Sequence, residues 1–267
     1  LLGDSQALTL PQRFYQRAMS GDANEIIATA RAFLKRRSFA AYCDIVLMRA
    51  LRLTQLDLAA GTITTDQQHK VRRAIVQVIE ALGNETRKRR RWPVRKSVLD
   101  ERNAGRPLRQ HRESLSGQWQ GPLAVPRGSI ALCIGLGTIG DDIATEILVR
   151  ILRDLHIDAR HLSIEEFGLA PPPGATAGSV SMVCIVGIAS DHSQARRIAF
   201  GRDVHQRLTE VCVMDLRLGD QPDSIEETGS GPQTDLMATS FQDAAQQAMK
   251  HFEHQPEMPT RSVLDAS

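Results

Sequence analysis

Over residues 1–83 the apolar positions recur every three or four residues, the spacing of helices with one buried face. Thr9 with Gln12, and Pro11 just inside, reads as the start of a first helix that stops at Ser20-Gly21. Asp22 with Glu25 starts a second, whose stripe is Ile26, Ile27, Ala30, Phe33 and Leu34. Ser38 opens a long third helix to about Ala60, with Tyr42, Ile45, Met48, Leu51 and Leu56 inward and Gly61 as its stop. Thr65 with Gln68 opens a fourth, with Val71, Ile75, Val78, Ile79 and Leu82 on one face. Four helices joined by short turns predict a small antiparallel bundle.

From Ser129 the pattern changes to short apolar runs alternating with amphipathic stretches. The expected strands are "IALCI", "DARHLS", "VSMVCIVGI", "EVCVMDLRL" and a short "DLMAT". Helices are expected from about Asp141 to Leu155, from about Ser190 to Leu208, and after Ser240. Continuous apolar strands separated by helices imply a parallel sheet covered on both faces, and five of them suggest the flavodoxin-like order. One crossover, "IEEFGLAPPPGATAG", holds too much Pro and Gly for a full helix. The expected organisation is a helical bundle at 1–83, a basic flexible linker at 84–127, a flavodoxin-like α/β domain at 128–254 and a disordered tail at 255–267.

Charge sharpens the reading of the linker. The chain as a whole is +2, yet residues 84–127 hold twelve Lys and Arg against four acids, so this segment alone is +8. Charge, Gly, Pro and Gln with little periodicity read as solvated linker. The run "RKRRRWPVRK" suits anionic lipid better than nucleic acid, because Trp92 is its only aromatic and no nucleic-acid-binding fold surrounds it. The four cysteines stand singly in apolar stretches and read as buried thiols rather than a disulfide frame or a zinc site. Of the eight histidines only His251 and His254 are close enough in sequence to share a metal, and they read as surface residues. No metal is expected, and no serine or carboxylate pair is placed for catalysis.

The stretch "GLGTIG", Gly135 to Gly140, matches a dinucleotide fingerprint as a string. A working fingerprint also needs an acid at the end of the second strand to hold a ribose. Asp158 stands at the beginning of that strand, and Asp141 and Asp142 follow the last glycine, which suits a helix N-terminus better than a phosphate. The glycines therefore read first as a tight strand-to-helix turn. An oxidoreductase domain binding NAD through this loop is the alternative.

The two halves together resemble the cobalamin-binding module of corrinoid proteins, a helical bundle followed by a flavodoxin-like domain. That family carries D-x-H-x-x-G after the first strand, its histidine ligating cobalt. Aligned back from the end of the second strand, the motif falls on Ile139, Gly140, Asp141, Asp142, Ile143 and Ala144, so the ligand position is Asp141. The family's S-x-L falls near Val186-Gly187-Ile188 and its G-G near Leu218-Gly219, and neither is present. The resemblance implies the fold without the cofactor, and no cofactor is expected; a corrinoid-binding carrier is the second alternative.

Leu1 to Phe39 and Leu51 to Ile63 are similar to the soluble region that follows the membrane domain in long members of the autoinducer-2 exporter (PerM-like) family of transporters. This resemblance implies a membrane domain upstream of residue 1, consistent with a chain that begins with Leu, and a place on the cytoplasmic face of a bacterial inner membrane. It implies a non-catalytic accessory or regulatory region that binds a partner or a small ligand. The expected ligand site is the crevice between the loops after the first and third strands, with Gly137, Thr138, Gly140 and Asp141 on one wall and Ser190 and Asp191 on the other. If anything small binds there, two acids and a helix N-terminus suit a ligand bearing hydroxyl or cationic groups, or a divalent metal, better than a phosphate; the other reading is an empty crevice.

Overall fold

The computed structural model describes residues 7–83, 105–188, 193–219 and 234–254. Its first part is the expected four-helix bundle: α1 (Leu10–Ser20), α2 (Ala23–Leu34), a long third helix, and α5 (Thr65–Gly83). The third helix runs from α3 (Phe39–Tyr42) through a π-helical turn (Cys43–Leu47) into α4 (Met48–Ala59). Polar residues start these helices as read: the Asp22 carboxylate accepts from Glu25 N at 3.2 Å, and Ser38 Oγ accepts from Ala41 N at 3.1 Å. The start of α5 is one residue earlier than its reading. Thr64 and Gln67 form the reciprocal cap, with Thr64 N donating to Gln67 Oε1 at 2.8 Å.

Next come α6 (Gly105–Ser116), β1 (Ile130–Gly135), α7 (Ile139–Asp154), β2 (Asp158–Leu162), the single turn α8 (Ile164–Phe167), and β3 (Val180–Ile188). The chain closes with α9 (Ser193–Arg207), β4 (Cys212–Leu218), β5 (Leu236–Ala238) and α10 (Phe241–Glu253). The sheet is parallel throughout with order β2-β1-β3-β4-β5, the flavodoxin-like order.

Because both faces are covered, alternate residues of each strand enter different cores. Cys133, Cys184, Met214 and Leu216 face α7 and α10, whereas Ile134, Val183, Ile185 and Val213 face the other side. The second side is the thinner one. The Pro-rich crossover supplies only α8, so Phe167 packs edge-on against Phe200 of α9, their ring centres 5.4 Å apart, while Leu169 beside it stays 69% exposed.

The bundle packs onto the other side, and one apolar cluster runs from Phe14 and Ile79 through Ile147 and Leu148 of α7 to Phe241 of α10. Polar ties cross the same boundary. The π-helical turn turns Asp44 toward α10, where its carboxylate accepts from Phe241 N at 2.8 Å and Gln242 N at 3.1 Å, supplementing the Ser240 cap. Arg150 of α7 donates to Ile79 O of α5 at 3.2 Å.

The reading of 84–127 as a flexible linker is corrected for its second half; residues 84–104, including the whole basic run, lie outside the described residues. Residues 105–116 are helical, with Leu108 fully buried and Arg112 7% exposed. Gly105 allows the start of α6 to sit on α7, since a Cβ there would lie 2.6 Å from Asp142 Cβ.

Candidate functional site

The carboxyl edge of the sheet is where this fold leaves room for ligands. Its centre is the turn from β1 into α7. Gly137 has φ +99°, a left-handed conformation that glycine alone adopts without strain. Gly140 lies in close packing: a Cβ there would lie 2.8 Å from Ile188 Cδ1 and 3.5 Å from Gln55 Nε2, so the ends of those side chains would have to shift. Gly135 faces Thr145 Oγ1, 2.9 Å from where its Cβ would be. Thr138 caps α7, its hydroxyl accepting from Asp141 N at 3.1 Å. The glycines thus serve a tight turn and close packing.

Asp141 is only 3% exposed and both its carboxylate oxygens are engaged. Oδ2 accepts from Thr138 N at 3.0 Å, completing a reciprocal cap. Oδ1 accepts from Ile188 N at 2.9 Å and so joins the β1–α7 turn to the end of β3. The expectation of an acidic crevice suited to a cation or a divalent metal is corrected on this point, because this acid is turned inward and satisfied by backbone N–H groups. Ser190 and Asp191, the expected opposite wall, lie outside the described residues. Among the described residues no group of three His, Cys, Asp or Glu side chains is placed to hold a metal.

Basic and amide side chains approach this edge from two elements. Arg196 of α9 donates to Leu136 O at 2.7 Å. From α4 of the bundle, Arg52 donates to Gly219 O at 2.8 Å, and Gln55 borders Gly140. The sequence reading named none of these, since the approach of α4 to the sheet edge is a tertiary fact. Deeper on the thinner side, Arg197 reaches Asp215 at 2.6 Å, with both side chains buried, and Arg217 takes the other oxygen at 2.7 Å. Gly187 admits that arginine, because a Cβ there would lie 2.6 Å from Arg197 Nη2.

A second polar centre lies in the middle of α7, against α6 and the edge strand β2. Glu146 is fully buried and is approached by Arg112 at 3.2 Å, Arg150 at 3.3 Å and His161 at 3.5 Å. Burial alone would raise its pKa, but the His161 hydrogen bond and the two guanidiniums outweigh it and hold the carboxyl down to about 2. Gln120 completes the centre. Its amide oxygen accepts from His161 N at 2.7 Å and its amide nitrogen donates to His161 O at 2.8 Å, so one side chain pairs with the edge strand as a neighbouring strand would. Arg112 also bonds the Gln120 amide oxygen, and Arg109 pairs with Glu113 and Glu166. This is an ion-paired joint built around one fully buried carboxylate.

The dinucleotide geometry is not assembled. Asp158 opens β2 and pairs with Arg160 at 2.7 Å, while the carboxyl end of that strand passes into Ser163 and Glu166, which cap α8. The four cysteines are free; Cys43, Cys133 and Cys184 are buried and Cys212 is half-buried. Burial, with Asp235 nearby, pushes the Cys212 thiol up to about 11, far from a reactive thiolate.

No family model matches the chain, and no curated protein matches it. Among solved structures it is similar to the monomethylamine corrinoid protein of Methanosarcina barkeri, with 14% identity and a TM-score of 0.53 over 90% of this chain and 97% of that one. It also matches the methanol:cobalamin methyltransferase complex MtaBC of the same organism, with 12% identity and a TM-score of 0.32 over 92% of this chain and 80% of that one. A novel cobalamin-binding protein from Desulfitobacterium hafniense DCB-2 matches with 12% identity and a TM-score of 0.33 over 92% and 99%. The first likeness establishes a shared fold, with helical part and five-stranded sheet together. The resemblance to the autoinducer-2 exporter family is corrected accordingly: the fold is shared with a corrinoid protein, and no exporter family model matches. Among the described residues no helix is long and apolar enough to cross a membrane.

Proposed function

We propose that this chain is a binding module of the corrinoid-carrier class, which holds its ligand over the carboxyl edge of the sheet, beside α4, and supplies no bond-breaking chemistry of its own. The observation that carries the reading is the placement of the bundle. Arg52 and Gln55 of α4 stand at the loops after β1 and β4, in a fold that matches a corrinoid protein over 90% of the chain. Hydrogen-bond donors on Arg52, Gln55 and Arg196 suit a ligand rimmed with amide or other acceptor groups, as a corrin ring is.

The axial position does not fit. The sequence alignment puts the imidazole position of that class on Asp141, which lies inside the first turn of α7 with its oxygens already bonded to two backbone N–H groups. No step is therefore derived through a protein-ligated cobalt. The chain's contribution to a bound corrinoid would be positioning by Arg52, Gln55 and Arg196.

The test is a titration of the full chain with hydroxocobalamin, followed by absorbance and by calorimetry. Saturable 1:1 binding with Kd of about 10 μM or tighter is expected. No heat and no retained absorbance at roughly 100 μM ligand would sink the corrinoid reading. Arg52→Ala and Gln55→Ala should each weaken binding and leave the fold intact.

A further inference from the structure

We infer that the helical bundle carries a ligand site of its own, in the cleft where α1, α2 and the third helix meet, and that it takes a small apolar monocarboxylate. The site is separate from the sheet edge, since Arg52, Gln55 and Arg196 take no part in its lining. The cavity holds about 200 Å³, and its walls are Phe14, Ile26, Phe33, Tyr42 and Val46. A dry cavity of about 150 Å³ already takes a benzene ring, so one ring or a short aliphatic chain fits here. Such walls suit an apolar body rather than a sugar or a nucleotide.

Two polar features of the cavity define the other half of the ligand. Tyr42 is 2% exposed, yet its hydroxyl has no hydrogen-bond partner among the described residues. A buried tyrosine hydroxyl ordinarily has one, so this one is left for a molecule that enters the cavity. Burial raises its pKa, so it stays protonated and can donate as well as accept. Arg13, exposed at the rim, uses only Nε, on Leu8 O at 2.9 Å, and its two terminal nitrogens are unpaired among the described residues. Arg17 on the same rim is already committed to Glu25 and Thr29. One available guanidinium beside an apolar cavity matches one carboxylate. The third helix also departs from α-helical geometry at this point: Met48 N donates to Cys43 O across the π-helical turn that follows Tyr42 and contains Val46. Single π-turns inside α-helices are frequent at functional sites.

The test is a titration of the full chain followed by NMR, with benzoate as the probe and benzamide as its uncharged counterpart. Benzoate should bind the wild type with a Kd of about 1 mM or tighter, with shifts concentrated in α1, α2 and the third helix. Benzamide should bind about tenfold more weakly, and Arg13→Ala should remove that difference. Tyr42→Phe keeps the ring and deletes only the hydroxyl, so it should weaken benzoate binding about threefold or more. Ala32→Trp, at the exposed rim of the cavity, should block both probes. Circular dichroism confirms that each variant is folded. No binding by the wild type at roughly 20 mM benzoate would overturn the site. So would equal affinity for the two probes, an unchanged affinity in Tyr42→Phe, or benzoate binding that a folded Ala32→Trp leaves untouched.

Discussion

Two acids on one helix, five residues apart, are both removed from water by different means. Asp141, at the start of α7, is held by backbone N–H groups of its own turn and of β3. Glu146, in the middle, is held by the side chains of Arg112, Arg150 and His161, from α6, α7 and β2. The first fastens loops at the edge where ligands bind in this fold, and the second fastens a basic helix to the far edge of the sheet. A buried carboxylate thus marks a joint in both places, and what differs is the cost of cutting it. Backbone donors can find partial substitutes when an acceptor leaves, whereas unpaired buried guanidiniums cannot.

The largest effect is expected at Glu146. Glu146→Ala removes the anion between Arg112 and Arg150 and should lower unfolding free energy by about 3–5 kcal/mol, measured by urea denaturation. It should also free α6, so trypsin should cut near Arg109 and Arg112 much faster than in the wild type. A loss below about 1 kcal/mol would mean the two arginines are satisfied without it.

The same group sets an acid limit. Its folded pKa of about 2 lies below the unfolded value of 4.5, so its contribution is fully present above about pH 4.5 and is lost as pH falls toward 2. Thermal unfolding followed from pH 6 to pH 3 should show a steep decline at the acid end. Glu146→Gln, starting from a lower stability, should show a shallower one. Parallel curves for the two proteins would remove Glu146 from the account.

Asp141→Ala comes next, at about 2 kcal/mol, because two backbone N–H groups lose a charged acceptor while Thr138 still caps the helix. Asp141→Asn should cost roughly half as much. Equal losses at positions 141 and 146 would erase the contrast between the two joints.

How far the sequence carried this picture depends on how local each signal is. Nine successive apolar or small residues fixed β3 at 180–188, and the polar starts at Asp22, Ser38 and Ser240 all cap helices. The Asp141 joint was half legible: Thr138 and Asp141 have capping-box spacing, but the bond to Ile188 spans 47 residues and only the fold supplies it. Likewise α6 was missed because its buried face sets Leu108 beside Arg112 and the half-buried Arg109, with partners Glu146 and Glu166 that are 34 and 57 residues away. Hydropathy periodicity reads apolar faces and is blind to a face neutralised at a distance. Ser163 and Glu166 show the opposite case, a capping box that was readable and passed over beside the Pro-rich crossover.

The smallest effect belongs to Gln120, the residue that finishes the Glu146 joint. Its side chain pairs with both polar groups of His161, while its backbone sits at φ 63°, a conformation that costs a non-glycine residue about 1 kcal/mol. Two substitutions separate those contributions. Gln120→Ala loses the edge pairing and keeps the strain, so it should destabilise by about 1–2 kcal/mol and speed amide exchange at His161. Gln120→Gly loses the same pairing but relieves the strain, so it should recover roughly 0.5–1 kcal/mol of that loss with the same fast exchange at His161. If the two variants are equally stable, the left-handed backbone at this position carries no cost. If both keep His161 protected, β2 does not need its glutamine, and the joint around Glu146 ends at the arginines.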